Sequence, residues 1–191
     1  MAESRKQLIV AAACACFLRK GYHQTGVRDI AAEAGISLGN LYNHFAGKDA
    51  VLAEIAALEA QELAPFVAHL QAAADPVRAV MGFVAAYLDY AARPEHALMT
   101  LELVAESVRN PAIALTFAGN REGLLTALSG LLATGAASGG LRRLARPDET
   151  AKLVLDLVEG HALRAVLGEA VSDAAGREEV MSFIAHSLGV P

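Results

Sequence analysis

The chain has 191 residues, 54% of them apolar, six prolines, no Trp and a net charge of −5. Ala and Leu dominate and β-branched runs are few, which argues for one all-α globular unit or two small ones and against a sheet. The charge is uneven: residues 1–50 hold six Lys/Arg against four acids (+2), and residues 51–191 hold ten against seventeen (−7), so a locally basic N-terminal face can accompany an acidic body.

Ser4 and Gln7 form a capping box for a first helix that ends near Lys20-Gly21. Cys14 and Cys16 lie on it at i, i+2, pointing to different sides, so they neither pair nor chelate one metal together. Cys16 falls on the apolar stripe Ile9, Ala13, Phe17; Cys14 is expected to be partly exposed. Two reduced cysteines, a polar start without a signal-peptide pattern and no apolar run of about 20 residues point to a cytoplasmic protein with no membrane contact.

Val27 to Ala34 reads as a second helix, with Gly26 where Ser or Thr would cap better and Asp29 in the favourable first turn. Gly35 supplies the left-handed position after it, and Ser37 caps a third helix through about His44. A fourth starts near 47–49 and runs into the sixties, where Pro65 should kink or break it. Further starts at Pro76, Pro94, Pro111 and Pro147 imply helices over 76–92, 95–108, 111–134, 148–168 and 174–188, about nine in all, with 135–140 a loop.

Two short helices crossing steeply through a tight turn can seat the second in a DNA major groove. Val27, Ile30, Ala31, Ala34, Ile36 and Leu41 have the spacing to pack them, leaving Leu38, Asn40 and Asn43 on other faces of the third helix. Asn binds adenine bidentately, for about 1–3 kcal/mol of discrimination. Arg28 is placed to reach a guanine or a phosphate, and Thr25, Tyr42, His44 and Lys48 ring the module with phosphate donors, which set register. Phe45, by contrast, reads as a core aromatic locking the third helix onto the fourth, a role open to Tyr42 as well.

This segment resembles the TetR family of bacterial transcriptional regulators, through Phe17, Gly21-Tyr22, Thr25, Val27, Asp29-Ile30-Ala31, Ala34-Gly35-Ile36-Ser37, Gly39, Leu41-Tyr42, His44-Phe45, Lys48 and Leu52. Gly26 and Leu38 depart from the family pattern by lacking its usual polar groups. A weaker likeness to C-terminal domains of TetR-like repressors runs through 105–111 and 159–167. The resemblance implies an all-α homodimer, a recognition helix over 37–43 that includes Ser37, Leu38 and Gly39, and a ligand-responsive C-terminal domain. On this reading residues 1–48 are a helix-turn-helix domain, joined by the long fourth helix to a ligand-binding and dimerisation domain over 49–191. Operator DNA of palindromic sequence, a second copy of the chain and a small, largely apolar effector are the partners expected, with repression the expected outcome.

An effector site is expected where apolar stripes carry a few polar groups: Met81, Val84, Tyr87 and Leu88, then His96, Met99, Leu103 and Glu106, then Phe117, Asn120, Arg121 and Leu124. Gly119, Gly123 and Gly130 inside one helix hint at close helix approach or room for a ligand. Helix 148–168 is apolar around most of its circumference, and with 174–188 it is expected to form the dimer interface through Leu153, Leu157, Val158, His161, Val180, Phe183 and Ile184.

The competing reading is a helical enzyme or a purely small-molecule-binding protein. Gly35-Ile36-Ser37-Leu38-Gly39 matches a G-x-S-x-G nucleophile elbow, but that motif needs a preceding strand and the residues before it have helical period. No phosphate loop or metal-ligand spacing is present among the motifs, no convergent acid–base set is visible, and no cofactor is expected.

Overall fold

Proline and glycine set most of the helix boundaries. The computed structural model describes residues 4–167 and 174–190, apart from the side chain of Thr116. The described residues form nine helices and no strand: α1 (Arg5–Lys20), α2 (Val27–Glu33), α3 (Leu38–Tyr42), α4 (Lys48–Gln71), α5 (Pro76–Ala91), α6 (Pro94–Ser107), α7 (Pro111–Ser138), α8 (Pro147–Val166) and α9 (Ala174–Leu188). Residue 168, the expected end of the eighth helix, lies outside the described residues.

Caps follow the side-chain chemistry. Ser4 Oγ accepts from the Gln7 N–H at 3.2 Å while Gln7 Oε1 accepts from the Ser4 N–H at 2.8 Å, closing the capping box of α1. Asp75 caps α5 by accepting from the Arg78 N–H at 3.1 Å, with Pro76 in the first turn. At the end of α2, Gly35 adopts φ +63°, and the N–H groups of Gly35 and Ile36 donate to the carbonyls of Ala32 and Ala31 at 3.1 and 3.0 Å. That Schellman closure turns the chain sharply into α3.

Two expected boundaries are corrected. Pro65 does not end α4, which continues to Gln71. Pro65 and Gln61, whose carbonyl loses its helical partner, are both exposed residues, so the interruption lies on the solvent side of the helix. Residues 135–138 belong to α7 rather than to a loop. Gly135 is buried, and a Cβ there would lie 2.7 Å from Leu141 Cδ1 and 3.0 Å from Pro76 Cβ. Gly135 is the poor helix former of the stretch and fits this close packing, while Ala136 and Ala137 favour helix. Gly135, rather than Gly119, Gly123 or Gly130, is the place of close approach in α7; a side chain at Gly119 or Gly130 would meet nothing within 4 Å.

The helices gather into two compact units, one of Met1–Glu62 with Leu98–Ala118, the other of Leu63–Ala97 with Gly119–Pro191. This grouping differs from a division at 48/49: α4 contributes to both, and the later half of α6 belongs with the N-terminal helices. The first unit buries Ile9 and Phe17 of α1, Ile30 of α2, Leu41 of α3 and Val51 and Leu52 of α4, together with Leu103 and Ile113. The second is built on Val80, Phe83, Val84 and Leu88 of α5, Leu124, Leu128 and Leu132 of α7, Leu155 and Val158 of α8, and Ile184 and Leu188 of α9. Among the described residues no helix is long and apolar enough to cross a membrane.

Candidate nucleic-acid interface

The helix-turn-helix is held from beneath by apolar side chains. Ile30 and Leu41 are fully buried and Phe45 nearly so, fixing α2 and α3 onto α1 and the start of α4. Ser37 Oγ accepts from the Asn40 N–H at 3.2 Å and starts α3 as expected. The helix is shorter than expected, ending at Tyr42, with Asn43 as its cap and its N–H on the Gly39 carbonyl at 3.1 Å. Outward from this core, Arg28, Ser37, Gly39, Asn43 and His44 are exposed, Tyr42 is half exposed, and Leu38 and Asn40 are partly exposed. Tyr42 therefore is not a core aromatic, whereas Phe45 is.

Charge at this face is sparser than a count suggests. Lys6 pairs with Glu54 at 2.6 Å, Arg19 with Glu33 at 2.6 Å and Lys20 with Asp29 at 2.8 Å. The last two tie α1 to α2, and the Lys20 ammonium beside Asp29 holds that carboxyl below its usual range. Asp29 also accepts from the Gly26 N–H at 2.9 Å, the half of a capping box that does not need a side chain at the cap. Of the cations in the first fifty residues, Arg5 and Arg28 alone among the described residues have neither an ion pair nor a hydrogen bond through the side chain. Arg28 shares the exposed side of the motif.

Two residues expected to meet phosphates are turned inward. Thr25 is 1% exposed, and its hydroxyl donates to the carbonyls of Gly21 and Cys16 at 2.8 and 3.3 Å. It closes the turn between α1 and α2 and presents no donor to DNA. Lys48 is partly buried; its Nζ donates to the Tyr22 carbonyl at 2.8 Å and stands 4.1 Å from the centre of the Tyr22 ring. Burial lowers the pKa of that ammonium. Lys48 pins the start of α4 to the Gly21-Tyr22 turn, a positioning role rather than the expected phosphate contact. Thr25→Val is expected to cost about 1–2 kcal/mol in urea unfolding, because it strips a buried hydrogen bond from two carbonyls. The slope of DNA affinity against salt should stay unchanged, since no phosphate contact is lost.

Sequence reasoning missed the centre of this arrangement, Tyr22. Its hydroxyl donates to Asp49 Oδ1 at 2.5 Å, its N–H donates to Glu102 Oε2 at 3.1 Å, and its ring meets Phe17 edge-on at 5.0 Å. Burial, with Asp49 adding to it, raises the pKa of the phenol. The partner at Glu102 is eighty residues away, a pairing with no local signal. Cys16 is fully buried as expected, and burial pushes the partly buried Cys14 thiol up to about 11, which keeps it protonated and unreactive.

The expected effector set divides between the two units. Met99, Leu103, Glu106 and Phe117 fall in the N-terminal unit, where Leu103 is core and Met99 and Phe117 pack beside it. In the C-terminal unit Val84, Leu88 and Leu124 are core, while Met81 is partly buried. Tyr87 begins a ring cluster, with Phe83 stacked at 5.3 Å, Tyr90 at 6.0 Å and Phe66 edge-on at 5.6 Å, and His96 meets Tyr90 edge-on at 4.2 Å. Beside it the Tyr87 hydroxyl donates to Glu159 Oε1 at 3.1 Å, and Arg121 bridges Glu159 at 3.2 Å and Asp156 at 2.5 Å. Burial raises the pKa of Glu159, against the opposing pull of Arg121. Asp156 and Glu159 were not expected here; Asn120 is partly exposed.

The expected dimer residues divide too. Val158, Val180 and Ile184 are interior to the C-terminal unit, because α5, α8 and α9 pack on one another through them. Leu157 and His161 are partly buried. Leu153 and Phe183 stand 68% and 63% exposed, with Leu167 at 59% beyond the end of α8.

Two family models match this chain. Residues 9–55 fit that of the bacterial regulatory proteins of the tetR family, and residues 76–189 fit that of the C-terminal domain of BetI-type transcriptional repressors. The HTH-type transcriptional repressor KstR2 of Mycobacterium tuberculosis is 44% identical over 52 residues, which is 27% of this chain and 26% of that protein. Similar solved structures include a putative transcriptional regulator from Pseudomonas aeruginosa (TM-score 0.83, 24% identity, 96% of this chain and 89% of that one). The regulator FadR from Bacillus subtilis, solved with stearoyl-CoA, is another (TM-score 0.78, 19% identity, 96% and 98%). At these identities the structures speak for the fold alone.

Proposed function

Because this chain belongs to the tetR family of bacterial regulatory proteins, we propose that it works as a ligand-responsive repressor whose α2–α3 motif reads a palindromic operator. The observation that carries this reading is the outward face of α3. Leu41 is fully buried beneath it, while Asn40, Tyr42, Asn43 and His44 face away from the core. Asn40 and Asn43 are assigned to base edges in the major groove, Arg28 to a guanine or a phosphate, and Tyr42, His44 and Ser37 to the phosphate backbone. Gly39 lets the groove wall approach closely, and Leu38 offers an apolar contact to a thymine methyl.

Two copies of the chain present two such motifs to half-sites about 34–36 Å apart, one helical turn of DNA. Leu153 and Phe183, with Leu157 and His161 beside them on α8, are proposed as the surface that joins the copies. The C-terminal unit is assigned the effector, a small and largely apolar molecule. Its ring cluster on Tyr87 supplies apolar contact, and the Tyr87–Glu159–Arg121 group supplies the polar contact that fixes orientation. An effector that favours the conformation with weaker operator affinity by only about 1–3 kcal/mol changes occupancy severalfold or more.

Selection of bound fragments from a random DNA pool tests the reading: an enriched inverted repeat is expected. Asn40→Ala and Asn43→Ala should each relax the preference at one position per half-site by about 1–3 kcal/mol without changing the salt dependence. An unenriched pool, or Asn variants that select the same sequence with the same stringency, overturns it.

A further inference from the structure

In the N-terminal unit a cavity of about 350 Å³ lies between Leu18–Gln24, at the end of α1 and the turn after it, and Glu102–Arg109 of α6 and its extension. Glu102 and Glu106, one turn apart on α6, both line it. One oxygen of Glu102 accepts the Tyr22 N–H at 3.1 Å, and the other makes no hydrogen bond. Glu106 is 8% exposed, yet among the described residues its carboxylate has neither a hydrogen bond nor an ion pair. Among those residues no buried side-chain oxygen is sealed off without a partner, so the carboxylate opens into the cavity it lines. Lys48, a cation in electrostatic reach of Glu106, directs its ammonium to the Tyr22 carbonyl instead.

Glu106 is buried as a residue while its unpaired carboxylate is open to the cavity, so a cation entering there meets it without displacing an existing partner. The rim has the opposite sign. Arg19 and Lys20 are already paired with Glu33 and Asp29, but Arg109 is exposed and without a partner among the described residues. A divalent metal does not suit the site, since among the described residues no three His, Cys, Asp or Glu side chains come together to hold one. An ammonium does: its three N–H donors match two carboxylates one helical turn apart, and such charge-assisted bonds are the strong ones.

We propose that this cleft is a binding site for a small zwitterion, an amino-acid-like molecule whose ammonium lies on Glu106 and the free oxygen of Glu102 and whose carboxylate lies on Arg109. The site belongs to the DNA-binding unit and is separate from the effector site assigned to the C-terminal unit, so it stands or falls independently of that assignment. Occupancy would join α6 to the turn that Tyr22 organises, and would give the regulator a second chemical input.

Calorimetric titration of the full-length protein with glycine, γ-aminobutyrate, n-butylamine and butyrate tests this without any DNA. One of the two amino acids is expected to bind saturably at or below about 10 mM, within the range of weak specific binding. Glu106→Gln should weaken it about tenfold or more, the worth of one charge-assisted bond. Glu102→Gln keeps the acceptor for the Tyr22 N–H and should weaken binding severalfold, an independent check on the second carboxylate. Arg109→Ala should reduce the amino acid to the affinity of n-butylamine. The urea midpoint of Glu106→Gln should rise or stay level, because an unpaired buried charge is removed. Absence of saturable binding by either amino acid, binding unaffected by both Gln variants, n-butylamine or butyrate matching the better amino acid in the unaltered protein, or a fall in the midpoint on Glu106→Gln would each overturn the proposal. The last result would make Glu106 a structural counter-charge for Lys48.

Discussion

Leu41→Ala is expected to abolish binding to operator and to unrelated DNA alike, and to lower the stability of the N-terminal unit by about 2–5 kcal/mol. The size of the effect follows from how α3 is held. The helix has only five residues, too few to be stable by itself when isolated helices shorter than about 12–15 residues are marginal in water. Its conformation comes from the Ser37 cap at one end and from Leu41, which is 0% exposed, at the other. The Leu41 carbonyl also accepts the N–H groups of His44 and Phe45, both at 3.0 Å, so loosening its side chain loosens the turn into α4 as well. A loss of that size is a large part of a typical stability of about 5–15 kcal/mol. The contrast with Asn40 and Asn43 is the informative part: truncating them should leave urea unfolding nearly unchanged and alter only which bases are preferred. Gel shifts on operator and scrambled DNA, beside unfolding followed by circular dichroism, separate the two behaviours. If Leu41→Ala unfolds like the unaltered protein and loses only sequence preference, the view of α3 as a helix held by a single apolar anchor is wrong.

The sequence made the outward face of the motif legible because its signals are local. Ser37 three residues before the Asn40 N–H, Gly35 where a left-handed turn is needed, and apolar residues at helical spacing are all short-range features. They survive because tertiary packing agrees with them. Thr25 and Lys48 went astray for one reason: a polar side chain near a DNA-binding helix has the same appearance in sequence whether it points out to phosphate or in to a carbonyl. For Lys48 the Tyr22 carbonyl decides between the two, and for Thr25 the carbonyls of Gly21 and Cys16 do. Helix α7 was misread for a related reason. The glycines and serine of 135–140 read as a loop, whereas Ala136 and Ala137 favour helix and Gly135 fits the close approach of Leu141 and Pro76. Periodicity on α8 and α9 likewise reported that most faces are apolar without saying which of them the neighbouring helices would take. Val158, Val180 and Ile184 went to the interior, and Leu153 and Phe183 did not.

That division makes the dimer surface testable. Introducing charge at both exposed positions, Leu153→Asp with Phe183→Asp, is expected to yield a folded monomer in sedimentation at micromolar concentration. Substitution of side chains 68% and 63% exposed should barely disturb the fold within one copy, since surface changes of this kind usually stay within about 0.5 kcal/mol. Across a two-fold interface each substitution occurs twice on the self-complementary patch, so four new carboxylates would be buried or would repel one another. Operator affinity should then fall by about 10²–10⁴, the gain that linking two half-site contacts gives over one. A single half-site should be bound by the variant as well as by the unaltered protein, because the α2–α3 face is untouched. The same charges at Val158 or Ile184 should instead unfold the C-terminal unit, those side chains being buried within one copy. A double variant that still sediments as a dimer, or a monomer that keeps full operator affinity, would show that the copies join elsewhere or that a single motif suffices.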